Sequence, residues 1–281
     1  MYKTQAPDTA PEAEQIQFSI WRKIPREQKT QQVHSFNRRM RAILWQNITQ
    51  NFPHLDARSC KQKLIELEQG KEFGKIDALL ENNFMLQDPI ELAAVIGSLF
   101  EQLAIPYFVG GGLASSILGE TRTTVDADIA ILLNDINLLP RLIETMEGEF
   151  YLSEIAIEEA LTGRTNTFNV IHLTSALKAD IYLIRNSDEF RKTAMSRRQK
   201  IYPTGSPELS FYLCTAEDIV LQKLIWYQMT GRTSHKQWRD ILGVLKLQAE
   251  RLDFQYLQGW SQQLNVTQEL QQALDEAGLT S

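Results

Sequence analysis

Residues 107–133, YFVGGGLASSILGETRTTVDADIAILL, decide the fold. The stretch begins with a short apolar run, residues 107–109, that is typical of a buried strand. Three glycines follow at 110–112, and the apolar residues at 113–118 have the spacing of a short helix. A polar turn then leads into a second apolar strand at 128–133. This alternation of strand and helix predicts an α/β or α+β protein and excludes a helical bundle.

The glycine turn at 110–112 can hold an anion. Glycine lets the backbone pass close to a ligand, and the N–H groups of such a turn can point at phosphate beside the positive end of the following helix. A tight turn without a ligand explains the glycines equally well. Two known motifs are excluded, because Ser115 replaces the last glycine of G-x-G-x-x-G and the G-K-[ST] of a P-loop is absent.

Three aspartates suggest a metal site. Asp126 and Asp128 are two apart on a strand, so they face the same way with Cα atoms about 7 Å apart, and they repel unless a cation lies between them. A surface turn with two solvated acids is the alternative, whereas an EF-hand is excluded because Ile131 stands where that loop needs glycine. Asp180 begins another apolar strand, and it completes a site for Mg²⁺ if the two strands are neighbours.

These motifs together resemble the DNA polymerase β-type nucleotidyltransferase superfamily, and within it the AbiEii-type branch, which includes toxins of toxin–antitoxin and abortive-infection systems. The matching residues are Gly111-Gly112-Leu113-Ala114, Gly119, Arg122-Thr123-Thr124, Asp126-Ala127-Asp128 and Asp180. The runs at 216–228 and 237–245 are similar to the helical C-terminal part of that branch. The resemblance covers about residues 90–265.

The resemblance implies an α+β fold with a nucleotidyltransferase-type mixed sheet. We expect an N-terminal arm and helical module at 1–87, a catalytic core at 88–205 and a C-terminal helical subdomain at 206–281. Residues 1–18 are polar and contain two prolines, which predicts a loose arm. The N-terminal module has no counterpart in the catalytic core, and this suggests regulation or self-inhibition by an antitoxin-like piece in the same chain.

The resemblance also assigns roles. Asp126 and Asp128 bind divalent metal, Mg²⁺ or Mn²⁺, and Asp180 completes the catalytic site and helps to deprotonate an acceptor hydroxyl. Gly111 and Gly112 hold the triphosphate of a nucleoside triphosphate (NTP).

Three more side chains are predicted to contact the nucleotide. The hydroxyl of Ser115 donates to it, Arg122 holds phosphate charge, and Lys223 reaches towards it. Each has a structural alternative: a serine on a helix surface, a salt bridge from Arg122 to Glu120 or Asp126, and a helix-face ion pair for Lys223. Trp226 is an aromatic residue that can stack a base, although helical spacing favours a place in the core.

Two basic stretches, 22–41 and 185–200, can bind RNA phosphates. A solvated helix face is the preferred interpretation of the first. The second follows the Asp180 strand closely, which favours contact with nucleotide or RNA.

The predicted function is therefore metal-dependent transfer of a nucleoside monophosphate from an NTP to a hydroxyl. The acceptor is RNA, a protein side chain or a small molecule, and we prefer tRNA because some members of the branch act on it. A toxin role, with an antitoxin-like partner, rests on the resemblance alone. The alternatives are a catalytically silent protein of the same fold that senses nucleotide or binds a partner, and a purely structural protein.

The composition limits the remaining classes. The net charge of −6 argues against a surface that coats nucleic acid non-specifically. Cys60 and Cys214 form no C-x-x-C or Cys/His cluster, so neither a disulfide framework nor a zinc site is expected. No uncharged apolar stretch approaches 18 residues and the first residues do not resemble a secretory signal, so we expect a cytoplasmic protein without membrane contact.

Overall fold

A mixed sheet carries the predicted acidic residues. The computed structural model describes residues 2–81, 87–133, 138–203 and 205–279 of the chain. The strands are β1 (Tyr107–Val109), β2 (Asp126–Ile131), β3 (Phe150–Leu152), β4 (Thr167–His172), β5 (Lys178–Leu183), β6 (Gln199–Ile201) and β7 (Phe211–Leu213). Within the described ranges these seven strands form one sheet in the order β3-β4-β5-β2-β1-β7-β6.

Helices surround this sheet. They are α1 (Pro11–Trp21), α2 (Arg26–Asn51), α3 (Ala57–Glu68), α4 (Asp77–Glu81), α5 (Pro89–Gln102), α6 (Gly111–Leu118), α7 (Leu138–Met146), α8 (Glu154–Thr162), α9 (Glu189–Arg197), α10 (Ala216–Met229), α11 (His235–Gln248), α12 (Phe254–Gln263) and α13 (Thr267–Ala277). The mixture of sheet and helices confirms the predicted α+β class. Among the described residues, no helix combines the length and the apolar character that crossing a membrane requires.

The strand β2 lies at the centre of the sheet and sets the position of the acids. It pairs antiparallel with β1 and parallel with β5. In the β2–β5 pair, Ala127 is opposite Ala179 and Asp128 is opposite Asp180. Both alanines are fully buried. Because side chains alternate along a strand, Asp126, Asp128 and Asp180 share the other face.

Several helix boundaries follow from local capping. Asp56 accepts a hydrogen bond from the N–H of Ser59 at the start of α3. Asp88 caps α5 in the same way, and Pro89 occupies its first position, where no N–H is needed. Pro11 occupies the first position of α1 in the same way, so this proline starts a helix and does not indicate disorder.

The predicted loose arm at 1–18 is therefore wrong for the part that forms α1. The side chain of Glu14 is buried, and it accepts hydrogen bonds from Tyr2 at 2.8 Å and from Lys246 at 2.5 Å. The N–H of Lys3 also donates to the carbonyl of Glu276 at 2.9 Å. A buried charge pair therefore fixes this segment to α11, and a backbone hydrogen bond fixes it to α13.

Other expectations also need correction. The strand predicted at 128–133 begins at Asp126, so both aspartates lie within β2. β7 lies in the predicted C-terminal helical subdomain and joins the sheet, while β3 and β6 were not predicted at all. These three strands have three residues each, too few to show an alternating pattern. Amphipathic spacing also predicts a helix at 136–147; residues 136 and 137 lie outside the described residues, and α7 covers 138–146.

The N-terminal helices dock on the core through buried polar contacts. The Nδ1 atom of His34 on α2 hydrogen-bonds the carboxylate of Asp88, and both side chains are almost fully buried. Arg41, also on α2, donates to the carbonyl of Ser175 at 2.5 Å. The prediction of a solvated helix face for residues 22–41 is therefore wrong for Lys29 and Arg41, which are buried.

We expect the stabilising effect of His34 to weaken as the pH rises. The hydrogen bond to Asp88 raises the pKa of His34 above its ordinary 6.5, and burial opposes this only in part. Protonated His34 therefore stabilises the folded state fully below pH 6.5. This stabilisation is lost as the pH rises through the higher pKa that His34 has in the folded state. Urea unfolding should show that His34→Gln destabilises the chain by about 1–3 kcal/mol near pH 6 and by less near pH 9. An equal difference at both pH values contradicts this contact.

Candidate active site

Each of the three aspartates on the open face of the sheet has a different hydrogen-bond partner. Thr124 donates its hydroxyl to Oδ1 of Asp126 at 3.0 Å. The N–H of Gly112 donates to Oδ2 of Asp128 at 3.2 Å. The side chain of Lys178, two residues before Asp180 on the same strand face, donates to Oδ2 of Asp180 at 3.0 Å. The structure brings the three predicted acids to one place on the sheet.

The glycine turn packs directly against the middle aspartate. Gly111 has a φ of +53°, and a Cβ on it would lie 1.7 Å from Oδ2 of Asp128. The positive φ and the closeness of Asp128 therefore both exclude any residue other than glycine at position 111. The sequence predicts that the N–H groups of this turn hold phosphate, but here the N–H of Gly112 is bonded to the Asp128 carboxylate.

The acids carry an electrostatic cost. Burial, together with the charges of Asp126 and Asp180, raises the pKa of Asp128 from 3.8 to about 6. Burial also raises the pKa of Asp180, although Lys178 opposes the shift. Negative charge is therefore disfavoured here, and a cation between the carboxylates would remove the cost.

The residues present fit a hard divalent cation, because the site offers only carboxylate oxygens on one face of a rigid sheet. The three carboxylates do not gather within 4.8 Å of one another. Among the described residues, only His34, Asp88 and Glu91 do so, and there the contacts are accounted for by the cap of α5 and the hydrogen bond of His34. The three aspartate carboxylates lie farther apart than this because their charges repel one another and because Lys178 holds Asp180 by a hydrogen bond.

Asp240 on α11 organises the cations that face the aspartates. Its two carboxylate oxygens accept hydrogen bonds from Arg122, each at 2.7 Å. Lys223 on α10 also contacts Oδ2 at 2.7 Å and donates to Gln237 at 2.9 Å. Burial would raise the pKa of Asp240, but Arg122 and Lys223 hold it below its ordinary value. The salt bridge of Arg122 is thus made with Asp240, and not with Glu120 or Asp126 as the sequence suggests.

Ser115 does not face the site. Its side chain is buried, and its hydroxyl donates to the carbonyl of Gly111 at 2.8 Å within α6. Both sequence interpretations, a nucleotide contact and a serine on the helix surface, are wrong, because a hydroxyl in a helix interior readily bonds the carbonyl four residues earlier.

Two adjoining cavities open on the aspartates. The first, of about 160 Å³, is lined by Gly111, Gly112, Arg122, Asp126, Asp128, Asp180, Ile219, Gln222, Lys223, Trp226, Lys236 and Gln237. The second, of about 260 Å³, shares Asp128 and Asp180 with the first and also includes Phe108, Thr167 and Tyr182. Trp226 lines both and is 44% exposed. The expectation that Trp226 is a core residue is therefore wrong.

Sequence reasoning missed several residues of the site. Lys178 could have been found, because it lies two residues before Asp180 and so shares its strand face. From the sequence alone, Asp240 is more readily interpreted as a structural residue than as a functional one. It is structural, and it holds in place the two cations beside the aspartates. Gln222, Lys236 and Gln237 carried no signal, since polar residues on a helix face are common.

Comparisons with known proteins do not assign a family. No protein-family model matches the chain, and no curated protein matches it either. The chain is similar to the crystal structure of an antigenic nucleotidyltransferase-like protein from Paracoccidioides brasiliensis, with 19% identity, a TM-score of 0.42, and 67% of this chain and 93% of that chain covered. It is also similar to the solution structure of antibiotic-resistance factor ANT(2'')-Ia, with 12% identity, a TM-score of 0.42, and 65% and 96% covered. Similarity at this level assigns no function, and the AbiEii-type branch stays a prediction.

We expect Gly111→Ala to disturb Asp128 and Gly110→Ala to leave it in place. The new methyl group at 111 would overlap the Asp128 carboxylate, whereas the nearest atom to a Cβ at 110 is 3.5 Å away. Gly111→Ala should lower the free energy of unfolding by about 1–3 kcal/mol, which chemical denaturation measures. Equal losses for the matched pair would show that the turn does not press on the aspartate.

We also expect Asp128→Asn to stabilise the metal-free protein. Because the folded pKa of Asp128 is raised from 3.8 to about 6, ionisation opposes folding, most strongly above pH 6. In EDTA at pH 8 the substitution should raise the free energy of unfolding by about 1–3 kcal/mol. The gain should shrink as the pH falls from 6 towards 4. A loss of stability at pH 8 contradicts the proposed repulsion.

Proposed function

We propose that this chain transfers a nucleoside monophosphate from an NTP to a hydroxyl group, with a divalent cation held by Asp126, Asp128 and Asp180. The in-register pairing of Asp128 with Asp180 carries the proposal. It puts carboxylates from two strands on one face of the sheet, beside a glycine turn and two cations. Phosphoryl transfer needs this combination of negative ligands for metal and positive groups for phosphate.

Bound Mg²⁺ or Mn²⁺ would supply positive charge to the phosphoryl oxygens and make a hydroxyl easier to deprotonate. The protein's own contribution to the proton transfer is Asp180. Burial raises its pKa, and a carboxylate with a raised pKa is the better base. Lys178 holds Oδ2 of Asp180 in position.

The triphosphate would bind to Arg122 and Lys223. Both cations line the 160 Å³ cavity with Gly111 and Gly112, and Asp240 holds both in place. A planar guanidinium suits phosphate oxygens, while the ammonium group acts as a point charge.

The exposed ring of Trp226 offers a surface for the base. Stacking on an aromatic side chain contributes about 1–3 kcal/mol per base and does not select a sequence. The 260 Å³ cavity shares Asp128, Asp180 and Trp226 with the first. The acceptor would therefore approach through this second cavity and reach Asp180 from the side of Thr167 and Tyr182. RNA, and tRNA in particular, is the acceptor we favour.

The N-terminal module contacts the turn that precedes Asp126. Asn37 on α2 accepts a hydrogen bond from the N–H of Thr124 at 3.3 Å, and Gln69 donates to the carbonyl of Val125 at 3.1 Å. These contacts support a regulatory role for residues 1–87. The proposed toxin role, and an antitoxin-like element in this module, rest on the family resemblance.

A catalytically silent nucleotide sensor is the second candidate, and one observation favours it. Two carboxylates that the reaction needs are already hydrogen-bonded within the protein. The N–H of Gly112 donates to Asp128, and the side chain of Lys178 donates to Asp180. Such a site can bind nucleotide without transferring it.

An assay of label transfer separates the candidates. The protein is incubated with each α-labelled NTP, Mg²⁺ and total tRNA, and label on RNA or protein is measured. We expect Mg²⁺-dependent transfer that falls about 100-fold or more in Asp128→Asn. Glu144→Gln, on the exposed surface of α7, is the matched control and should keep full activity.

Two outcomes contradict enzymatic transfer. Saturable NTP binding without transfer to any acceptor would establish a sensor. Absence of Mg²⁺-dependent NTP binding by calorimetry would leave a structural protein.

A further inference from the structure

Another polar cavity, separate from the two that open on the aspartates, lies between the N-terminal helices and the core. It shares no lining residue with those two cavities. Its volume is about 340 Å³. It is lined by the α1–α2 junction, the α9–β6 junction, the start of α10 and the turn at 249–251. Of the described lining residues, five are cationic and two are acidic. The cations are Arg22, Arg26, Lys29, Arg197 and Arg251, and the acids are Glu217 and Asp253.

Lys29 is the most unusual of these cations. Its side chain lines the cavity although the residue is only 4% exposed. Within the described part of the chain its ammonium group makes no hydrogen bond and no ion pair, and it lies 5.2 Å from the ring centre of Trp21. Burial lowers the pKa of Lys29 to about 8, and Glu120, whose charge opposes the shift, is bonded to Arg239 at 2.8 Å. A buried lysine left in this state lacks its counter-ion.

Three more cations have only neutral acceptors among the described residues. Arg22 donates to the carbonyl of Lys246 at 2.8 Å, and Arg251 donates to the carbonyl of Arg22 at 2.6 Å. Arg26 donates to the side-chain oxygen of Gln199. The positive charge of these side chains is not neutralised by carboxylates of the described residues.

The two acids of the cavity are already engaged. Glu217 accepts from Arg197 at 3.1 Å and from the N–H of Asp253 at 3.1 Å. Asp253 caps α12 by accepting from the N–H of Tyr256 at 2.9 Å. The Nε atom of Arg197 is buried without a hydrogen-bond partner in the described residues. Glu217 therefore balances Arg197, and the other four cations share the cavity with one further carboxylate, Asp253, with which none of them forms an ion pair in the described part of the chain.

We propose that this cavity binds a small phosphorylated ligand through its phosphate group. A phosphate offers several acceptor oxygens to converging arginines and a lysine, and it replaces the missing counter-ion of Lys29. The first turn of α10, which lines the cavity at Thr215–Glu217, adds the positive end of a 14-residue helix. A volume of this size suits a small molecule, and a polymer backbone would not reach a lysine so deeply buried.

Binding would join three segments of the chain. Arg22, Arg26 and Lys29 belong to the N-terminal helices, Arg197 to α9, and Arg251 to the turn that follows α11. A ligand held by all of them fixes α1 and α2 to the core and stabilises the folded chain by mass action. This role is independent of the proposed transfer reaction.

The test is thermal unfolding of the full chain in EDTA, with added inorganic phosphate, AMP or glucose 6-phosphate against chloride at equal ionic strength. At a concentration ten times the Kd, we expect the unfolding temperature to rise by about 3 °C. The same rise in Arg122→Gln would show that the cations beside the aspartates are not involved. Equal effects of the three compounds indicate inorganic phosphate as the ligand, and a stronger effect of AMP or the sugar phosphate indicates an organic phosphate.

Variants locate the binding. Lys29→Met and Arg251→Gln should each weaken phosphate affinity about tenfold or more by calorimetry, while Lys23→Met, an exposed neighbour, should not. Arg251 lies at the rim, so Arg251→Gln keeps the test decisive if Lys29→Met does not fold. The proposal is overturned by absence of a shift, by equal shifts in Arg251→Gln and the unchanged protein, or by a short RNA that competes fully for the same site.

Discussion

The parallel, in-register pairing of β2 with β5 is the constraint on which the rest of the site depends. It fixes Asp128 opposite Asp180, and the alternation of side chains adds Asp126 to the same face. The alanines on the reverse face are fully buried in the core. A shift of one residue would bury the acids and expose the alanines, so packing of the core and the position of the carboxylates are the same requirement.

This arrangement concentrates negative charge where burial disfavours it. The chain surrounds the acids with partners that moderate the cost: Thr124 for Asp126, Gly112 for Asp128 and Lys178 for Asp180. A second group of charges, Arg122 and Lys223, is held across the cavity by Asp240 and is kept apart from the acids. Metal and phosphate would each complete one half of this divided site, which is why the geometry favours nucleotidyl transfer.

Much of this could be predicted from local sequence. The motif order predicts that Asp126, Asp128 and Asp180 lie together, and the apolar runs at 128–133, 168–173 and 179–184 predict β2, β4 and β5 to within two residues. What could not be predicted was set by contacts distant in the chain. Asp240 meets Arg122 across 118 positions, and Glu14 meets Lys246 across 232, and neither pairing has a local pattern. The burial of Ser115 could not be predicted for a related reason. All residues of α6 from Leu113 to Leu118 are buried, because elements distant in the chain, among them α2, α10 and α11, pack around this helix.

Binding of Mn²⁺ tests the central claim most directly. With a non-hydrolysable NTP analogue at pH 6, calorimetry in two buffers of different ionisation enthalpy reports both affinity and released protons. The three-carboxylate site predicts Mn²⁺ binding with proton release, because the pKa of Asp128 is about 6, and loss of that binding in Asp180→Asn. Unchanged Mn²⁺ affinity in Asp180→Asn would show that the carboxylates from the two strands do not share a cation, and the account would fail.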